Sequence, residues 1–256
     1  MTVAGAALQS LVALELGNQA HPELVRWSTL VPAAPPDFYG FHDAYALFTP
    51  EGPILIDPVM ASPGVEAEVT SLLGQRPVAT VLTSSWHERA AYEVRERYGT
   101  PVWLPAVGRA EADGQADHYY RHSDTLPGGL RPIGIADEFA GDHVLWWPAP
   151  SGERVLFTGD VFTGAVNSDD PRPGHWRRAQ GTYLVLWRLH SQEEFTRRFR
   201  RLLGEDFDLV CPAHAPPLRG QPKTALRNVL ARGRFWQAAG ATGTTRMALI
   251  ASGTHA

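Results

Sequence analysis

Cysteine is almost absent from this sequence: Cys211 is the single one. One thiol excludes an internal disulfide framework and a cysteine-rich zinc knuckle, and it makes a reducing cytoplasm the expected compartment. Strong charge of either sign is missing as well. A formal net charge of −4 over 256 residues gives no electrostatic reason to expect nucleic acid or an anionic membrane as partner. No apolar run approaches transmembrane length. The N-terminal stretch MTVAGAALQSLVALELG lacks a basic segment and is interrupted by Gln9 and Glu15, so it reads as mature chain rather than a signal peptide. There is no G-x-S-x-G elbow, no G-x-x-x-x-G-K-[ST] loop and no G-x-G-x-x-G fingerprint. Acyl-serine chemistry of the α/β-hydrolase type and nucleotide cradling are therefore disfavoured.

What is present is an ordinary globular composition, 44% hydrophobic and 20% charged. The length suits one large α/β domain over residues 1–256 rather than two. AYALFTP (44–50) and PILIDP (53–58) flank the turn residues Glu51 and Gly52 and read as a hairpin. Ser62 and Pro63 start a helix that Gly74 stops. VATVL (78–82) is a β-branched run, followed by a helix from about Ala90 to Tyr98 closed by Gly99, and VWLP (102–105) is a strand. Residues 106–129 have no clean period and read as loop. HVLWWP (143–148) and RVLFTGD (154–160) are strands around Ser151 and Gly152. Ser191 with Glu194 forms a capping box for a helix whose buried face is Phe195, Phe199, Leu202 and Leu203. FDLVCP (207–212) is a further strand, and residues 222–236 read as a closing helix.

The stretch TSSWHERA (83–90) sets two hydroxyls, a Trp, a His, a Glu and an Arg side by side after an apolar run. Four landmarks in order, GPILIDP, VATVLTSSWHERA, VLFTGDVF and DLVCPAHAPP, resemble the metallo-β-lactamase fold superfamily. The resemblance is clearest over residues 40–216. It implies an αββα sandwich with a site along one edge and, commonly, zinc-dependent hydrolysis.

Carried over residue by residue, the resemblance is partial. Thr83 matches the Thr of the family's T-H-x-H-x-D-H motif, but Ser84 and Trp86 fall where its first two histidines belong. Glu88 takes the Asp position, Arg89 takes the third His, and His87 stands at a variable position. Glu138 aligns with the family's turn histidine, while Asp160 and His214 match its ligands outright. Ser and Trp are not zinc ligands, so one metal site is expected to be lost. At the other, Arg89 cannot deprotonate. It would replace a cation with a cation and pair with Asp160 or Asp57. A degenerate dinuclear site follows, with no favoured cofactor and the old groove binding a small molecule or partner, or carrying a metal-independent activity. The alternative is a hydrolase using one zinc or another divalent metal on Glu88, Asp160 and His214.

The plainer readings stand beside these. His87 and Glu88 are the catalytic candidates with Asp160, yet helical neighbours do not face each other, and His87 suits packing or hydrogen bonding equally. Asp160 could be a turn former and His214 a satisfied loop histidine. Asp57 is expected to orient the site loops. His175, Trp176 and Trp187 read either as pocket wall or as packed loop. Arg197, Arg198, Arg200 and Arg201 read as a solvated helix face, with nucleic-acid processing the remaining alternative. The oligomeric state and the substrate leave no mark in the sequence.

Overall fold

The computed structural model describes residues 7–14, 16, 23–32, 39–60, 63–135, 142–163, 183–186, 192–214, 217–231, 234–238 and 247–251. The sheet-forming strands of the first half are β1 (Ala7–Leu14), β2 (Leu24–Pro32), β3 (Tyr39–Thr49), β4 (Gly52–Ile56), β5 (Ala79–Val81), β6 (Val102–Pro105) and β7 (His118–Tyr120). They lie in one sheet in chain order. β1 to β4 run as an antiparallel meander, whereas β4 to β7 are parallel. Parallel neighbours need a crossover. Helix α1 (Pro63–Leu73) supplies the one between β4 and β5, and α2 (Ala91–Tyr98) the one between β5 and β6. Gly74 and Gly99 stop the two helices with φ of 61° and 62°, the left-handed turn that glycine adopts without a Cβ penalty.

The second half begins with β8 (Arg131–Gly134), β9 (His143–Pro148), β10 (Arg154–Gly159), β11 (Phe162–Thr163) and β12 (Tyr183–Leu186). It continues through α3 (Gln192–Leu202), β13 (Leu209–Pro212), α4 (Pro222–Ala231), β14 (Arg234–Ala238) and β15 (Met247–Ala251). A second sheet has the order β13-β10-β9-β8, and a third the order β11-β12-β14-β15.

Period-two alternation decides how the layers stack. Tyr45, Leu47, Ile54 and Ile56 face the second sheet and pack with its Leu145, Trp147, Val155, Phe157, Leu209 and Cys211. The intervening Ala44, Ala46 and Leu55 face the other way, onto Val65, Val69 and Leu73 of α1 and Val94 of α2. Val144, Leu156 and Val210 carry the outer face of the second sheet against Phe199, Leu202 and Leu226 of α3 and α4. The result is the expected αββα sandwich.

Three readings need correction. Residues 106–129 are not all loop, because β7 extends the first sheet there. A three-residue strand is too short to show a period, and its identity comes from pairing with β6. The helix from residue 222 stops at Ala231, and Arg234–Ala238 is a strand between β12 and β15. Gly233 weakens a continuing helix, and Phe235 and Trp236 favour a pleated surface. The 53–58 run also ends earlier, since β4 closes at Ile56 and Asp57 turns out of the sheet at φ 47°. His175, Trp176, Trp187 and Ser191 lie outside the described residues. Among the described residues, no helix is long and apolar enough to cross a membrane.

Phe157 is 1% exposed at the centre of the inter-sheet core. Phe157→Ala should lower unfolding stability by about 3–5 kcal/mol, measured by denaturant titration.

Candidate functional site

Parallel pairing sends the C-terminal ends of β4 and β5 to one edge, and β10 and β13 are likewise parallel. Open α/β sheets place ligands outside such strand ends. Asp57 follows β4, Thr83 and a 3₁₀ turn over Ser85–His87 follow β5, Asp160 follows β10 and His214 follows β13.

The Asp57 carboxylate organises this edge. Thr83 donates to it twice, from its backbone N–H to Oδ1 at 2.8 Å and from Oγ1 to Oδ2 at 2.6 Å. His87 Nδ1 lies 2.8 Å from the same Oδ2. A carboxylate only accepts, so Nδ1 carries a proton and Nε2 is the nitrogen turned to the site. There it meets Asp160 Oδ1 at 3.2 Å, and His214 Nε2 approaches the same oxygen at 3.0 Å. Neither His87 Nε2 nor Asp160 Oδ1 makes a hydrogen bond of acceptable geometry, although both are buried. The three groups converge without being aligned on one another.

His87 reaches this position because the segment is a 3₁₀ turn. Its N–H donates to Ser84 O at 3.1 Å, and residues three apart in such a turn lie over one another. His87 therefore falls on the face of Ser84, although linear alignment assigned it a variable position. Ser84 is buried and caps the turn by accepting from Trp86 N at 3.1 Å. Trp86 is 43% exposed at the rim. Gly159 sits at φ 50°, and a Cβ there would press on the Thr83 side chain.

The His214 loop is pinned from three sides. Ala213 N donates to Gly159 O at 3.1 Å, Asp43 N donates to Ala213 O at 2.7 Å, and Tyr45 Oη donates to Pro212 O at 2.7 Å. His42 from β3 packs edge-on against His214 at a centroid distance of 4.8 Å. Burial first, then the Arg89 charge, hold His42 well below the usual imidazole range.

Glu88 does not join Asp160 and His214. Its carboxylate accepts from Tyr92 Oη, from Asp113 N at 2.6 Å and from Gly114 N at 3.1 Å. His87 stands in the cluster in its place. Arg89 is held at the site edge with φ 36°, but it donates to carbonyl oxygens rather than to a carboxylate. Nη1 lies 3.4 Å from Asp43 O and 3.3 Å from Asp57 O. The expected pairing is thus corrected: the Asp57 carboxylate is filled by Thr83 and His87. Glu138 lies outside the described residues. Asp142 was not anticipated. It is buried beside Ser84, and burial, followed by the Asp160 charge, raises its carboxyl to about 7. A lone Asp ahead of a strand carries no signal of that kind.

Burial and Arg89 oppose a charge on His87, yet Asp160 and Asp57 outweigh them and raise it to about 9. Burial likewise opposes ionisation of Asp160, and His87 and His214 overcome it, holding the carboxyl well below the ordinary range.

Solved structures with this arrangement of layers include a metallo-β-lactamase from Pontibacter korlensis (TM-score 0.59, 16% identity, covering 87% of this chain and 99% of that one). This chain has the metallo-β-lactamase fold. A metallo-β-lactamase from Hirschia baltica superposes with TM-score 0.56 at 13% identity, over 87% of this chain and 97% of that one. One from Pseudomonas aeruginosa, in its mono-zinc form, gives 0.58 at 11% identity, over 91% and 98%. No family model matches the sequence, and no curated protein matches it.

In metal-free protein the folded state raises the His87 pKa from 6.5 to about 9. The stabilisation is complete below pH 6.5 and is lost as pH rises through about 9, amounting to about 3 kcal/mol at most. Chelator-treated protein should therefore melt lower across this window, and His87→Gln should flatten the dependence.

Proposed function

We propose that the chain is a hydrolase holding one divalent metal, zinc foremost, on His87, Asp160 and His214. The convergence of these three ligand atoms, all within 4.8 Å of one another, carries the reading. Ligands about 2.0–2.1 Å from a tetrahedral zinc lie roughly 3.3 Å apart, which the contacts of 3.0 and 3.2 Å approach. Two buried polar atoms without hydrogen-bond partners are otherwise costly, and a cation between them would remove that cost. Asp57 behind His87 is the carboxylate–histidine support that ligating imidazoles use. Three protein ligands leave a fourth position open, as catalytic sites do.

A metal bound here would supply an acidified water and polarise the bond to be cleaved. The chain's own groups set the surroundings. Asp57 fixes the His87 tautomer, so that ligation requires only the loss of the Nε2 proton. Asp142, with its carboxyl near neutrality, holds a proton suited to exchange at the site. Arg89 keeps a fixed positive charge where negative charge would develop. The substrate in this reading is a small molecule, and a reducing cytoplasm fits the single buried Cys211.

One observation favours a second reading. With His87 raised to about 9, its imidazolium can take the cation's place between Asp57 and Asp160. The site would then be a metal-free binding groove.

Elemental analysis of dialysed protein separates the two. About one metal per chain is expected, with occupancy falling several-fold in His87→Ala and His214→Ala and holding in Glu88→Gln. Occupancy below about a tenth for zinc, iron and manganese in the wild type would sink the metal reading in favour of the second.

A further inference from the structure

Beside this edge the chain carries a second concavity that the reading above does not use. Ala106, Arg109, Tyr119, Arg121 and Asp124 line a cavity of about 380 Å³, within the range of small-ligand pockets. It sits where β6 and β7 end, and these strands run parallel to β5, so it lies on the same strand-end side as the cluster of His87, Asp160 and His214. Two guanidinium groups border it. Among the described residues neither Arg109 nor Arg121 has a carboxylate partner, in a chain whose net charge is −4. The one acid in the lining, Asp124, accepts through Oδ2 from the backbone N–H of Arg121 at 2.7 Å, and its single charge stands against two guanidinium groups.

One guanidinium is oriented before any ligand arrives, and the backbone that carries the other is fixed by a turn. Arg109 lies over the Tyr119 ring at 4.7 Å, a cation–π contact that orients its donor fork. Asp124 N donates back to Arg121 O at 3.2 Å, closing the turn that carries Arg121. Preorganised donors lose less entropy on binding. The cavity is also tied to the first site. Glu88, next to His87, binds the amides of Asp113 and Gly114 in the segment between Arg109 and Tyr119. Tyr92, which donates to Glu88, lies within electrostatic reach of Tyr119.

We propose that this cavity is a binding site for the oxyanion group of a small molecule, a phosphate or a carboxylate, gripped by Arg109 and Arg121. Guanidinium forks match both groups through paired, charge-assisted hydrogen bonds. The site does not depend on metal at His87, Asp160 and His214.

Calorimetric titration at low ionic strength tests it, with inorganic phosphate and acetate as separate probes on wild-type protein treated with chelator. At least one probe should bind saturably at one site per chain, and the stronger of the two identifies the phosphate or the carboxylate. Arg109→Gln/Arg121→Gln should weaken that binding by about tenfold or more at an unchanged melting temperature, since both side chains are exposed. The proposal is overturned if neither probe binds chelated wild type, or if the double variant binds as tightly as wild type. A probe that binds only before chelation marks the metal centre and equally overturns it. Metal content, measured on the same samples, keeps this outcome separate from that of the hydrolase reading.

Discussion

Everything at the strand-end edge depends on one buried carboxylate. Asp57 accepts from Thr83 twice and from His87 Nδ1, and so joins the end of β4 to the turn after β5. This bond set fixes the tautomer and aim of His87, and with them the position of the nitrogen facing Asp160. Burial would raise the Asp57 carboxyl, but His87, by charge and hydrogen bond, and then Arg89 hold it below the ordinary range. A charged carboxylate survives at 2% exposure because its oxygens are filled. Two non-glycine residues with left-handed backbone, Asp57 and Arg89, flank this arrangement. Such strain persists where surrounding contacts over-determine it.

The charge balance at the edge bears on both proposed readings, the metal and the proton. Asp43 is matched by Arg26 at 2.7 Å. Asp57 and Asp160 remain, facing the guanidinium of Arg89 and the imidazole of His87. Protonated His87 brings the group close to neutrality. A dication in its place would displace that proton, and Asp142 could ionise to compensate. Buried charges are tolerated when compensated, whichever cation does so.

The stability of the layered sandwich resides away from this edge. The inter-sheet and sheet–helix clusters of Tyr45, Phe157, Trp147, Val69 and Phe199 lie in the body of the layers, while the site uses residues just beyond the strands. Side chains at strand ends can be exchanged while the alternation within the strands is kept. Structures 11–16% identical to this chain share the fold.

The αββα layering followed from the resemblance that the ordered landmarks carry, while period and turn signals were sufficient for β3 to β6, β9, β10 and β13 and for α1 and α2. These elements depend on local alternation, glycine stops and turn residues, which a linear chain displays. The order of landmarks also located Asp57, Asp160 and His214 at strand ends. Tertiary structure alone decided that His87 belongs to the cluster and Glu88 does not, because a 3₁₀ turn places residue 87 over residue 84. It alone revealed Asp142 and His42 at the site, whose relevance comes from elements distant in sequence. It also turned Arg89 onto carbonyl oxygens, since the Asp57 carboxylate was already occupied by groups 26 and 30 residues away. Which hydrogen-bond partner wins a buried carboxylate is settled by three-dimensional proximity, and no period in the chain records it.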